Sequence, residues 1–211
     1  MESLIAPPIE YRIFTGETPC LSPGKAYAYV MDGEGLKKFT TCRHFSAVVP
    51  VARAIIPGLP VLGCGLQMRY RLPAGHLAAM LRDARAESWE QPRETMYHVR
   101  VRDGMTRITK PPQDGGAGHL AYQTGDARDI AVDVHSHHQM SAFFSSTDVR
   151  DEQGRRIYAV IGKIFTRPQI RVRVGVYGHY LPVRVSEVFN GPGPFRDLYD
   201  VVHKAGYLCQ N

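Results

Sequence analysis

Apolar and polar positions alternate with a period of two over three stretches of the chain. In Glu94 to Arg102, Tyr97, Val99 and Val101 alternate with His98, Arg100 and Arg102. In Asp129 to His137, Ile130, Val132 and Val134 alternate with Asp133, His135 and His137, and in Ile170 to Tyr177 the valines alternate with Arg171 and Arg173. Side chains two apart on a strand share a face, so each stretch reads as a strand with one side in a core. Over the last of them a solvated basic outer face is expected. Ile157 to Phe165 is a continuous apolar run and reads as a buried strand. Leu77, Met80 and Leu81 recur at helical spacing after Leu72-Pro73, which predicts a helix ending near Ala86 to Trp89, with Pro92 barring continuation.

The remaining elements follow from punctuation. Asp103-Gly104 is a tight hairpin signal that returns the chain as Met105 to Thr109. Gln113 to Asp126 is Gly-rich and aperiodic and reads as a loop, a candidate lid. Ser145 to Gln153 predicts a short helix ended by Gly154, Leu181 to Val188 a further strand, and Asp197 to Ala205 a C-terminal helix. Upstream, Tyr11 to Phe14 and Ala26 to Met31 are short strand-like runs, Asp32-Gly33 is a turn, and Phe39 to Val49 reads as one returning strand. Gly63 to Arg71 reads as the first strand of the larger unit. The division expected is therefore 1–62, a small β-rich extension, and 63–211, a mixed α+β domain.

Composition narrows the class. The chain has 211 residues with 44% apolar content, enough for a real core. A net charge of +6 is mild, and no recognised nucleic-acid motif accompanies it. Cys20, Cys42, Cys64 and Cys209 form no Cys-x-x-Cys pair, which suggests a reducing compartment. No signal peptide is apparent at Met1-Glu2-Ser3, and the apolar stretch Ala47 to Met68 is broken by Pro50, Arg53, Pro57 and Pro60. The expectation is a cytoplasmic protein with no membrane partner.

The stretch Asp133 to Asp148 carries the most chemistry. It reads His135-x-His137, seven residues, then Ser145-x-x-Asp148. His135 and His137 at the end of one strand present two imidazoles to one side, and Asp148 arrives from the next element with an oxygen. Two His and one carboxylate leave a position open for water, as in catalytic rather than structural zinc sites. The same residues also fit a plain reading: two histidines on a strand, followed by a helix with Ser145 as N-cap and Asp148 at its third position. Asp133 reads either as a partner orienting His135 or as a solvated carboxylate. His138 reads as a residue that contacts substrate or modulates the site, or as an exposed residue. His44, His179 and His203 have no partner visible in sequence.

This motif resembles the signature of the JAMM metalloproteases, the MPN-domain enzymes that act as deubiquitinases. The wording His135-Ser136-His137-His138 and Ala142 to Asp148 is similar to one bacterial branch, PRTRC system protein A, over about Leu66 to about Val188. His138 and Phe144 stand where the family commonly has prolines. The resemblance implies an MPN-type, cytidine-deaminase-like α-β-α core with a mixed sheet. It implies zinc (Zn2+) held by His135, His137 and Asp148, with Ser145 stabilising an oxyanion. It also implies a general-base Glu upstream. Glu94 is the match, with Glu87 and Glu90 as rivals, and Tyr97 stands where a Gly often follows. The activity implied is cleavage after the C-terminal glycine of a ubiquitin-like protein, in a system that can include an E1-like enzyme. A non-catalytic MPN-type scaffold is the alternative.

Overall fold

The computed structural model describes residues 8–199, apart from 117, 119, 124 and 125. Most of the expected C-terminal helix, with His203 and Cys209, lies outside the described residues.

The chain opens with five strands: β1 (Ile9–Ile13), β2 (Tyr27–Asp32), β3 (Gly35–Thr41), β4 (Phe45–Arg53) and β5 (Gly65–Met68). They form one sheet in sequential order, parallel between β1 and β2 and antiparallel elsewhere. Two sequence expectations change here. Phe39 to Val49 is not one strand: it covers the end of β3 and the start of β4. The Gly63 to Arg71 segment also joins this first sheet through β4, so a division at residue 62 would separate two hydrogen-bonded strands.

Helix α1 (Gly75–Glu87) then leads into β6 (Met96–Arg102) and β7 (Met105–Thr109), the hairpin turned at Asp103-Gly104. A two-stranded ribbon follows, β8 (Gln113–Gly115) and β9 (Leu120–Tyr122), inside the segment expected to be a plain loop. Next come β10 (Ile130–Ser136), the short helix α2 (Ser146–Asp151), β11 (Arg155–Gly162), β12 (Gln169–Val176), β13 (His179–Val183), α3 (Val185–Val188) and β14 (Arg196–Asp197). The second sheet runs β13-β12-β11-β10-β6-β7, with β14 on β12. It is mixed, because β10 and β11 are parallel while their neighbours are antiparallel. The expected strand Leu181 to Val188 is divided between β13 and α3.

The two faces of this second sheet differ. Val99, Val132, Val134, Ile157, Ala159, Ile161, Val172 and Val174 point inward and are buried. They share one core with Leu77, Met80, Leu81 and Ala84 of α1 and with Phe45, Ala47 and Val49 of β4. Burial of each large side chain contributes about 1.5–3 kcal/mol. One face is thus covered by α1 together with the N-terminal sheet, and the other carries α2, the β8–β9 ribbon and, over Val160, the residues Ala142, Phe144 and Leu198. The fold is α+β, with mixed sheets, few helices and an N-terminal β-sheet.

The opposite face is polar, yet it is not solvated as the alternation suggested. His98, Asp133, His135 and Arg173 are all buried there. Among the described residues no helix is long and apolar enough to cross a membrane, and no disulfide forms.

Candidate metal centre

Strand β10 delivers the two imidazoles. His135 lies at its end and His137 one residue beyond it, both buried. Their Nε2 atoms stand 3.1 Å apart. The backbone is fixed on both sides: His137 N–H donates to Ile161 O (2.7 Å), and Ser136 N–H donates to Thr95 O (3.0 Å).

The chain then leaves the sheet through a tight loop zipped to the end of β11. Lys163 N–H donates to Met140 O (2.7 Å) and Ile164 N–H to His138 O (3.0 Å). This loop sits directly on Gly162, where a Cβ would come within 2.4 Å of Met140 O and 2.5 Å of Ala142 N. Real Cβ contacts do not approach so closely, so Gly162→Ala is expected to lift the loop and displace α2. The measured result should be weaker metal retention, with the fold preserved by circular dichroism.

Asp148 reaches the histidines from α2. Ser145 is the N-cap: its Oγ accepts from Asp148 N–H (3.1 Å), and Asp148 Oδ2 accepts from Ser145 N–H (2.5 Å). The free oxygen, Oδ1, stands 3.3 Å from His135 Nε2. Capping and ligation therefore do not compete, because one carboxylate oxygen closes the capping box and the other faces the imidazoles. Helix formation fixes the ligand in place.

One donor atom from each of His135, His137 and Asp148 lies within 4.8 Å of the others. Tetrahedral ligands about 2.0–2.1 Å from a zinc ion stand roughly 3.3–3.4 Å from one another, close to the two separations seen. The residues present fit a divalent metal such as zinc.

Electrostatics point the same way. Burial pushes the His137 imidazole down to about 4, and the neighbouring His135 adds to this. Burial works to raise the Asp148 carboxyl, but the bonds from His135 and Ser145 win and hold it below the usual carboxylate range. At neutral pH His137 is a neutral base and Asp148 an anion, the states a metal needs. A histidine whose folded value is depressed contributes stability above its unfolded value of about 6.5. That stability is lost as pH falls through the folded value. The metal-free protein is therefore expected to lose on the order of 3 kcal/mol between about pH 6.5 and 4 from this group. Thermal melts over that range should show a drop that His137→Asn reduces.

Glu94 is buried just before β6. Met96 pairs with His135, so the register carries Glu94 level with His137. The β8–β9 ribbon braces this point: Gln113 bonds both the N–H (2.6 Å) and the O (3.2 Å) of Met96, and Glu94 N–H donates to Gly116 O (3.0 Å). The rivals lie elsewhere. Glu87 ends α1 and bonds Lys110 (2.7 Å), and Glu90 is exposed in the turn that follows.

Asp133 requires correction. It is neither solvated nor bonded to His135. Its two oxygens are taken by His98 Nδ1 (2.6 Å) and Arg156 Nη1 (2.5 Å), forming a buried array one step along β10 from the metal ligands. His138 is buried rather than exposed: its ring lies 5.7 Å from that of Phe165, and its φ is +48°. Proline, expected here by resemblance, cannot adopt a positive φ, so the substitution belongs with the shape of this loop.

Sequence reading missed a second pair on this face. Glu152, at the end of α2, accepts from Arg173 Nε (2.9 Å) and Nη2 (2.5 Å), and both residues are buried. The period-two pattern of β12 put Arg173 on the polar face, but nothing local showed that α2 covers it.

The family model described as prokaryotic homologs of the JAB domain matches residues 73–174, a span that holds β6, β10, α2, β11 and every proposed ligand. No curated protein matches the chain. With the His-His-Asp cluster at its polar face, the segment 73–174 is similar to the prokaryotic JAB (MPN/JAMM) domain.

Proposed function

We propose that this protein is a zinc-dependent peptidase or isopeptidase of the JAMM type that cleaves after the C-terminal glycine of a ubiquitin-like protein. The observation that carries the reading is the convergence of His135, His137 and Asp148 within a segment similar to the JAB domain, with a buried glutamate at the same end of the sheet. JAB-domain proteins are often metalloproteases of this kind. A bound zinc supplies Lewis acidity, which polarises a carbonyl and makes solvent nucleophilic near neutral pH.

The chain's own residues do the rest. His135 and His137 offer neutral imidazoles, and Asp148 offers its Oδ1. Glu94 accepts the proton of the attacking water and returns it to the leaving amine. Ser145 Oγ already accepts from Asp148 N–H, so its own proton is available to the oxyanion; such a donor is typically worth about 3 kcal/mol of barrier. The β8–β9 ribbon gives an extended glycine-ended tail a backbone edge on which to pair. The local wording shared with PRTRC system protein A extends the proposal to a bacterial setting with an E1-like partner.

The test is incubation of the zinc-loaded protein with a ubiquitin-like protein fused through its C-terminal glycine, followed by mass spectrometry. Release of the fusion partner at the glycine is expected. An intact fusion under conditions where zinc is bound would favour the scaffold reading.

A further inference from the structure

Helix α2 carries the third ligand, yet its own side chains add nothing to the core; the apolar contacts nearby belong to Ala142 and Phe144 of the loop before it. The helix is six residues long and buries none of them. A helix that short does not persist by itself in water. Its N-terminus is closed by the Ser145–Asp148 capping box, which is local to the helix and does not attach it to the sheet.

Attachment comes from β12 and β13. The Arg173 guanidinium, rooted in β12, bonds Glu152 at the C-terminal end of α2 (2.9 and 2.5 Å). Its Cζ lies over the ring of Phe144, the residue before the N-cap, 3.7 Å from the centroid, and over the ring of Tyr180 at 3.9 Å. Arg173 therefore grips both flanks of the helix. The Tyr180 hydroxyl lies within reach of two further carbonyls, Val149 O (3.0 Å) and Glu152 O (2.8 Å). Glu152 N–H returns to Asp148 O (2.9 Å), which links the clamp to the ligand's own backbone.

We infer that Arg173 and Tyr180 are positioning residues for the metal centre: they clamp α2 to the sheet and so fix where the Asp148 carboxylate stands relative to His135. This rests on the zinc reading above. Stacking and a forked bond to one carboxylate need a guanidinium, which explains an arginine at this place. Residues that orient a ligand typically change metal affinity by about 10–100-fold when altered.

The experiment measures zinc affinity of the full chain by chelator competition, with the cobalt(II) absorption spectrum as a second readout of ligand geometry. Tyr180→Phe removes one hydroxyl and Arg173→Met the guanidinium. Each is made alone and combined with Asp148→Asn. Zinc binding is expected to weaken about 10-fold for Tyr180→Phe and up to about 100-fold for Arg173→Met, with a changed cobalt spectrum. In the Asp148→Asn background, where no carboxylate is left to position, the same changes should cost less than about 3-fold. Unchanged affinity in Tyr180→Phe, or equal losses with and without Asp148, would overturn the clamp. Tyr180→Phe decides the matter if Arg173→Met does not fold. Failure of the wild-type chain to take up zinc would instead overturn the metal reading itself.

Discussion

Replacing Glu94 by Gln is expected to leave zinc bound and to lower the rate of hydrolysis by about 10²–10⁴-fold, the usual contribution of a positioned general base. The change keeps the volume and planarity of a side chain that is 8% exposed, so the start of β6 and its bonds to the β8–β9 ribbon should survive. What is lost is a carboxylate at the level of His137. Zinc content separates this outcome from unfolding. A Glu94→Gln protein with full activity would move the base elsewhere, yet Glu87 is already bonded to Lys110 at the end of α1.

The second large effect is His137→Ala. Two imidazoles and one carboxylate make the cluster, so removing one imidazole leaves two donors. Zinc affinity should fall by at least about 100-fold, more than the usual cost of altering a residue that merely supports a ligand, and hydrolysis should vanish with it. The fold should persist, because His137 lies just outside β10 and its backbone bond to Ile161 needs no side chain. Equilibrium dialysis with zinc, alongside circular dichroism, checks both halves.

Much of this was legible in the sequence because the chemistry is local. The parity of β10 placed the valines in the core and the histidines on the other face, and both are found there. The spacing from His137 to Ser145 and Asp148 is long enough for one loop and one capped turn of helix, which is what lies between them. Helix α1 was readable from Leu77, Met80 and Leu81, which are buried against the sheet.

What was not legible depends on register and on distant coverage. Asp133 looked free because its partners, His98 and Arg156, come from two other strands and meet it only once β6, β10 and β11 are aligned. Arg173 looked solvated because Glu152 and Phe144, which cover it together with Tyr180 of the neighbouring strand, lie more than twenty positions away. The pairing of β5 was hidden for a related reason: the strand is short and carries no pattern of its own, and its place is set by β4. Lys37 and Lys38 are buried as well, through partners that only the folded sheet brings to them. Lys37 is held by Asp32 (2.5 Å), and Lys38 by Tyr177 O (2.7 Å) beneath the rings of Tyr27 and Tyr29.

X-ray absorption at the zinc edge of the loaded, full-length protein examines the central claim most directly. One zinc per chain is expected, in a shell of nitrogen and oxygen at about 2.0–2.2 Å with the multiple scattering of imidazole rings. A shell dominated by sulfur at about 2.3 Å, or no zinc retained, would contradict it.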